Sequence, residues 1–218
     1  KLFMRDSVGA ITEVGGGGGG VGSLAMVSEA AVNPVALSTE GTLDWLAIQS
    51  AANPQAFAPN LLQSKATGKW LRDGFLWICA AGAAPSTFAN IDRNCTALDT
   101  TGNSTAIGTT TGYLSTGGSN VGFGYRIRVP ASSTQSRVLR LHEGHFSCEL
   151  TVTASLDDGS ASPVVVAVNR AAGVSGNAIF KITYQGGSNT YLDVLARVTL
   201  NHGSSPNVGC SAVTINTV

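Results

Sequence analysis

A strict alternation of apolar and polar residues between Phe146 and Leu156 constrains the fold of this chain more than any other feature. The apolar members of the alternation are Phe146, Cys148, Leu150, Val152, Ala154 and Leu156. Successive side chains of a β-strand point to opposite faces of a sheet, so this period places one face on a core and the other in water. The segment therefore predicts one long strand that is buried on one side.

The same alternation recurs along the second half of the chain, from Leu192 to Leu200 and from Tyr125 to Val129. Further strand-forming segments are residues 138–141, 164–168, 179–184 and 208–218. Since residues of one period share a face, several inward positions should meet in one core. These positions are Phe146, Leu150, Val152, Val194, Ala196 and Val198.

Turn-forming residues separate these strands. They include Asp157-Asp158-Gly159-Ser160, Gly186-Gly187-Ser188-Asn189 and Asn201-His202-Gly203. Strands separated by such turns predict an all-β fold. We expect an antiparallel β-sandwich of jelly-roll-like form, with at least about eight strands in two sheets. A helical pattern occurs only over residues 46–52, where Asn53-Pro54 would end it. Residues 96–122, rich in Thr, Gly and Ser, fit weak strands joined by loops and fit one long loop equally.

The amino-terminal residues differ from the rest of the chain. Residues 1–22 carry a short apolar patch and then six consecutive glycines, Gly15 to Gly20. Glycine runs have high backbone freedom, which is typical of a linker. An arm that becomes ordered only against a partner subunit is the alternative. We therefore expect two parts, an extended Gly-rich arm over residues 1–22 and a β-sandwich domain over residues 23–218.

The composition excludes several classes of partner. The chain has 218 residues, with 13 Lys plus Arg against 13 Asp plus Glu, and only 12% of its residues are charged. Without net positive charge or a basic run, it has no electrostatic means of binding nucleic acid or an anionic membrane. Its Gly, Ser and Thr content is typical of secreted, cell-surface and virion proteins.

The four cysteines, Cys79, Cys95, Cys148 and Cys210, contain no CxxC pair that would favour a metal site. Cys148 and Cys210 occupy inward positions of predicted strands, so reduced core cysteines are favoured over disulfides.

Two short motifs contain residue types that bind metal ions, but neither has the spacing of a known metal-binding motif. His142 and His145 flank Glu143, but the helical zinc motif needs its histidines four residues apart on one helix face. Here they fall three apart in a strand-and-turn context, which predicts opposite sides. Asp157 and Asp158 offer carboxylates for calcium, yet Asp-Asp-Gly-Ser is also an ordinary hairpin turn, which we favour. We expect no metal, no cofactor and no catalytic residues, although paired carboxylates of a glycosidase are not excluded by sequence.

Five aromatic residues are candidates for a sugar-stacking platform: Trp45, Trp70, Trp77, Tyr113 and Tyr125. Trp45 and Trp77 stand in apolar surroundings. Because aromatic side chains contribute much of the area of protein cores, we expect Trp45 and Trp77 to pack in the core.

Three phrases resemble a β-sandwich module of bacterial secreted, surface and phage proteins. Residues 35–45, VALSTEGTLDW, resemble its opening, which carries Thr-x-Glu-Gly-Thr-x-Asp-Trp. Residues 154–161, ASLDDGSA, resemble its Ser-Leu-Ser-Asp-Gly-Ser-Ala turn, and residues 179–184, IFKITY, resemble the strand after that turn. The second aromatic residue that often follows the opening is replaced here by Ile48-Gln49. The resemblance covers residues 32–218 and implies a jelly-roll-like, non-catalytic sandwich.

Two functions of different class follow from these features. The first is a structural protein of a phage virion, a capsid decoration (cement) or fibre subunit. Its arm would bind a capsid or tail protein, and the protein would form a homotrimer. The amino-terminal residues lack the order of a secretion signal, which fits release of a virion by lysis. The alternative is a carbohydrate-binding, lectin-like module of a secreted or surface bacterial protein, with a surface glycan as its partner.

Overall fold

The strands that carry the alternation of polar and apolar residues form two facing antiparallel sheets. A computed structural model describes residues 2–5, 11–14, 22–31, 35–48, 62–64, 70–78, 86–89, 95–96, 109–110, 112–115, 121–203 and 206–218. Most of these residues are in strands, and the helices among them are the short α1 (Leu37–Glu40) and α2 (Trp70–Gly74). The predicted all-β sandwich is confirmed.

The first sheet, called sheet A, has seven strands. In spatial order they are β1 (Leu2–Arg5), β2 (Ile11–Val14), β15 (Val164–Asn169), β14 (Cys148–Leu156), β17 (Tyr191–Asn201), β12 (Gly124–Pro130) and β7 (Phe75–Ile78).

The second sheet, sheet B, faces sheet A. Its strands in order are β3 (Ser23–Ala30), β16 (Ser175–Gln185), β13 (Arg137–Phe146), β18 (Asn207–Thr217), β11 (Gly112–Ser115) and β8 (Ser86–Ala89). A further strand, β5 (Asp44–Ile48), pairs with β18 on one side and with β6 (Leu62–Ser64) on the other. A small third sheet joins β10 (Thr109–Thr110), β9 (Cys95–Thr96) and β4 (Val35–Ala36). Within residues 96–122, the described parts thus include short strands, as the first of the two alternatives predicted.

The core fills the space between the two sheets. Leu150, Val152, Val194, Ala196 and Val198 are fully buried in it, as predicted. Cys148 and Cys210 are buried there as reduced cysteines, so the preference for the reduced state is confirmed for this pair. From β12 to β18 the chain passes to the other sheet at each connection except that from β14 to β15, which are neighbours in sheet A.

Phe146 was wrongly predicted to begin the strand that ends at Leu156. It is the last residue of β13 in sheet B, and β14 begins two residues later in sheet A. Ser147 makes the corner between the sheets with a φ of 52°, a left-handed conformation that interrupts the strand. Its backbone carbonyl accepts from His202 N (2.8 Å), and its Oγ accepts from Gly173 N (2.7 Å). Phe146 is therefore half-buried and outside the shared core.

A bulge also changes the end of the second alternating strand. Glu149 pairs with Leu200 but Leu150 pairs with Val198, so Thr199 is an extra residue in β17. An extra residue moves the side chains beyond it to the other face of the sheet. Leu200, which was predicted to follow the buried period, is consequently 48% exposed.

The predicted helical turn over residues 46–52 is wrong where the structure describes it. Leu46, Ala47 and Ile48 belong to β5, which pairs with β18 through Val213 and Ala212. The apolar residues Trp45 and Leu46 are both fully buried, one on each side of sheet B. Burial on both faces favours a strand over a helix and removes the alternation that would have identified it.

The amino-terminal arm forms a hairpin at the edge of sheet A. Residues of β1 and β2 pair in antiparallel register from Leu2 with Val14 to Arg5 with Ile11. Thr12 of β2 then pairs with Val166 of β15. The glycines Gly15 to Gly20 lie outside the described residues.

Candidate functional site

A groove opens where the outer face of sheet A meets α2. Its volume is about 660 Å³, and its walls combine aromatic rings with arginine side chains. It is lined by Trp70, Gly74, Phe75, Arg126, Arg128, Pro130 and Tyr191. This volume lies within the usual range of small-ligand sites.

Among the five candidates for a stacking platform, Trp70 lines this groove. Trp45 and Tyr125 are fully buried, and for Trp45 this confirms the expected core packing. Trp70 packs partly against the core and partly lines the groove. The side chains of Trp77 and Tyr113 lie outside the described residues.

Two contacts fix α2 beside the groove. Asp44 of β5 accepts a hydrogen bond from Leu71 N at its Oδ2 (3.0 Å), and its Oδ1 accepts from Trp45 N (2.9 Å). At the other end of α2, a Cβ on Gly74 would stand 1.8 Å from the carbonyl oxygen of Arg128. Only glycine allows this approach, which holds Trp70 next to β12.

Arginine and aspartate side chains form a connected row on the outer face of sheet A. Arg126 donates to Asp193 Oδ1 through Nε (2.9 Å) and Nη2 (2.6 Å). Arg128 donates through Nη1 to Asp193 Oδ2 (2.6 Å) and through Nη2 to Asp157 Oδ2 (2.5 Å). This row results from strand register, because Arg128 lies directly opposite Asp193 in the pairing of β12 with β17.

Two of the aromatic rings along the groove are each covered on one face by a guanidinium group. The Arg128 group lies 4.6 Å from the centre of the Tyr191 ring, and the Arg137 group lies 4.6 Å from the centre of the Trp70 ring. Arg137 is itself held by Pro130, whose carbonyl oxygen accepts from Nη1 (2.5 Å). Stacking of this kind fixes the orientation of each ring before any ligand arrives.

Asp157 and Asp158 form the predicted hairpin turn. Gly159 has a φ of 67°, and its N donates to Leu156 O (3.1 Å). Hydrogen bonds from Thr190 and Ser160 lower the pKa of Asp158 to about 2. Asp157 accepts from Tyr191 N at Oδ1 (2.9 Å) and from Arg128 at Oδ2. The two carboxylates therefore bind protein donors and help to shape the groove.

The segment from His142 to His145 lies within β13 and is not a turn. Leu139 and Leu141 of this strand face the core, so alternation places Glu143 and His145 on the inner face and His142 on the outer face. Tyr125 OH donates to Glu143 Oε2, and Gly209 N donates to Oε1 (3.2 Å). The two histidines point to opposite faces of the strand, as predicted, so they cannot bind the same metal ion.

His142 belongs to a second polar cluster, on the outer face of sheet B. Its Nε2 donates to Glu40 Oε1 (2.5 Å), which also accepts from Thr214 Oγ1 (2.7 Å). Burial alone raises the pKa of Glu40, but the hydrogen bonds from His142 and Thr214 and the attraction to His142 and Arg140 outweigh burial and lower it. Glu40 and Asp44 both belong to the opening phrase of the resemblance, so in this chain that phrase supports the fold.

His145 is buried without a hydrogen-bond partner at either ring nitrogen within the described part of the chain. Burial and the nearby positive charge of Arg170 lower its pKa from 6.5 to about 4. The imidazole is therefore neutral at neutral pH.

The described residues contain no group of three or more His, Cys, Asp or Glu side chains that could hold a metal ion. Nor is any helix among these residues long and apolar enough to cross a membrane. What the groove offers chemically is a prearranged binding surface of rings, guanidinium N–H groups and carboxylate oxygens.

Sequence reasoning missed Arg126, Arg128, Tyr191 and Asp193 as site residues. They were visible as polar partners of the alternating strands, but only the pairing of β12 with β17 brings them together. Comparisons with protein families, with curated proteins and with solved structures find no match for this chain.

Proposed function

We propose that this chain is a non-catalytic carbohydrate-binding protein, and that the groove on sheet A is its glycan site. The observation that carries the proposal is the lining of the groove, in which Trp70 and Tyr191 stand beside Arg126 and Arg128. Sugar rings have apolar C–H faces that pack on aromatic rings and hydroxyl edges that bind charged side chains. The groove supplies both kinds of contact.

A binding role without catalysis is supported by how the carboxylates are used. Asp157 and Asp193 both accept hydrogen bonds from Arg128. Glycoside hydrolysis needs one carboxyl group that gives a proton and a second that attacks or activates water. Carboxylates that are tied to one guanidinium suit a fixed binding surface better than either of those tasks.

Trp70→Ala and Tyr191→Ala test this proposal on an array of neutral and acidic oligosaccharides, followed by calorimetry on the glycans that bind. Each variant should lose roughly tenfold or more in affinity, as central aromatic contacts of binding sites do. Leu200→Ala is the matched control, since it removes an exposed apolar side chain of the same sheet outside the groove lining. Unchanged glycan binding by the Trp70 and Tyr191 variants would refute the proposal.

A second candidate function is that of a structural protein of a phage virion, a capsid decoration (cement) or fibre subunit. The observation that favours it is the hairpin of β1 and β2, which adds to the edge of sheet A where Thr12 pairs with Val166. A strand that adds to a sheet edge is a common means of subunit contact. The arm would bind a capsid or tail protein, or join copies of the chain in a homotrimer.

Deletion of residues 1–21 tests this second function. The shortened protein should keep the far-UV spectrum of a β-sandwich but lose its oligomeric state in solution or its attachment to particles. If it assembles as the full chain does, the arm is not the attachment element, and the carbohydrate-binding proposal stands alone.

A further inference from the structure

We propose that the groove selects uncharged glycans, and that Asp193 sets this selectivity by occupying the arginine groups that would otherwise bind an acidic sugar. The inference rests on the proposed carbohydrate binding and adds the ligand's charge class and the residue responsible for it. Its basis is the hydrogen-bond geometry of Arg126 and Arg128.

Arginine recognises a carboxylate through two parallel N–H groups on one side of the guanidinium. In Arg126 this pair, Nε and Nη2, already binds Asp193 Oδ1. In Arg128 each terminal nitrogen binds a different aspartate, Asp193 and Asp157. An acidic sugar would have to displace one of these aspartates before it could use the same N–H groups, and at the remaining N–H groups of Arg126 it would lie close to Asp193.

The aspartates are also better shielded than the arginines that they bind. The side chains of Asp193 and Asp157 are 17% and 26% exposed, whereas those of Arg126 and Arg128 are 42% and 38% exposed. The protein carboxylates therefore lie against the sheet, and the outer parts of the guanidinium groups face the groove. A ligand hydroxyl can accept from those remaining N–H groups, while a ligand carboxylate would stand close to two carboxylates.

Asp193 binds both arginines, so its replacement should change selectivity more than any other single substitution in the row. Asp193→Asn keeps the side-chain shape and removes the negative charge. Nε and Nη2 of Arg126 and Nη1 of Arg128 then lose their charged acceptor. The altered groove should accept a uronic acid, a sialic acid or a sulfated sugar in place of the aspartate.

The experiment compares wild type, Asp193→Asn and Glu29→Gln on an array of paired glycans, in which each neutral oligosaccharide has a counterpart that carries a uronate, sialic acid or sulfate. Glu29→Gln is the matched control, because it removes the same charge from the outer face of sheet B, where Glu29 contacts Lys181 (3.4 Å). Equal melting temperatures would show that the variants are folded.

Wild type and Glu29→Gln should bind neutral members at least about tenfold more tightly than their acidic counterparts, since like charges in contact oppose binding. Asp193→Asn should reverse this order, and its binding should weaken as salt is raised. Preference of the wild type for acidic members, or an unchanged order in Asp193→Asn, would overturn the inference but leave carbohydrate binding intact. Absence of any binding by wild type would instead overturn the proposed function.

Discussion

The two outer faces of the sandwich carry similar chemical groups in opposite surroundings. On sheet A, Arg126 and Asp193 pair at an open groove. On sheet B, α1 covers part of the face, and His142 binds Glu40 with no exposure of the histidine side chain. Apolar residues seal this covered part: Leu37, Trp45, Ala47 and Ala212.

This difference in covering separates the roles of the two charged pairs. An exposed ion pair contributes little to stability, because water and salt screen it. A buried pair becomes costly as soon as one partner is removed, because the other is left without compensation. The pair on sheet B should therefore matter for folding, and the pairs on sheet A should matter for binding.

The largest effect is expected between the two faces, in the core that both sheets share. Val152→Asp would bury a charge among apolar side chains and should lower the free energy of unfolding by about 4 kcal/mol or more. Thr153→Asp, one residue along β14 on the outer face, should lower it by less than about 1 kcal/mol. Chemical denaturation measures both, and equal losses would mean that the faces of β14 are wrongly assigned.

A smaller loss of stability is expected on acidification, through His145. The unfolded chain takes up a proton near pH 6.5, whereas burial and Arg170 delay uptake in the folded state to about pH 4. Between these values the unfolded state binds more protons than the folded state. The free energy of unfolding should therefore decrease by roughly 3 kcal/mol in total as the pH is lowered from 6.5 to 4. Above pH 6.5 this contribution is complete.

His145→Phe removes that titration and provides the control. Its free energy of unfolding should depend less on pH between 6.5 and 4 than that of wild type, by about one proton in the slope. Equal slopes in denaturation experiments across this range would show that His145 does not titrate as described.

The pair on sheet B contributes its own acid sensitivity at lower pH, because Glu40 has a lowered pKa and loses its charge below its usual range.

His142→Ala tests the covered face directly. It leaves the Glu40 carboxylate with fewer partners beneath α1 and should cost about 2 kcal/mol, less than a fully buried pair because Glu40 is 24% exposed. Thermal and chemical denaturation measure the loss. A cost near zero would contradict the distinction between the two faces.

Arg126→Ala is the corresponding change on the open face, and it should have the smallest effect on stability. We expect a loss below about 1 kcal/mol, because the Arg126 side chain is 42% exposed. Glycan affinity should nevertheless fall, since Arg126 lines the groove. A large loss of stability with unchanged binding would reverse the roles assigned to the two faces.

The sequence was sufficient for the fold class, because alternation is a local pattern that reports directly on burial. It failed where the pattern continues through a break: nothing in residues 146–148 shows that Ser147 turns the chain from one sheet to the other. Leu200 was misassigned for a similar reason, since the extra Thr199 is recognised only from the pairing with β14.

The groove was less predictable than the core. Trp70 was named among five aromatic candidates, but its partial exposure depends on contacts of α2 with Asp44 and Arg128, which are distant in sequence. Likewise, Arg126 and Asp193 are 67 positions apart and meet only through strand pairing. The sequence showed which residue types were present, but it did not show which of these residues lie close together in the fold.

The position of β18 in sheet B has a consequence for the order in which the protein can be made. Its neighbours β13, β5 and β11 all precede it in the chain, and it lies between them. On the ribosome, these earlier strands emerge with a gap between them that stays open until residues 207–217 have been translated. Exposed strand edges pair readily with other chains, so a chain that lacks residues 207–217 should aggregate more than one that contains them.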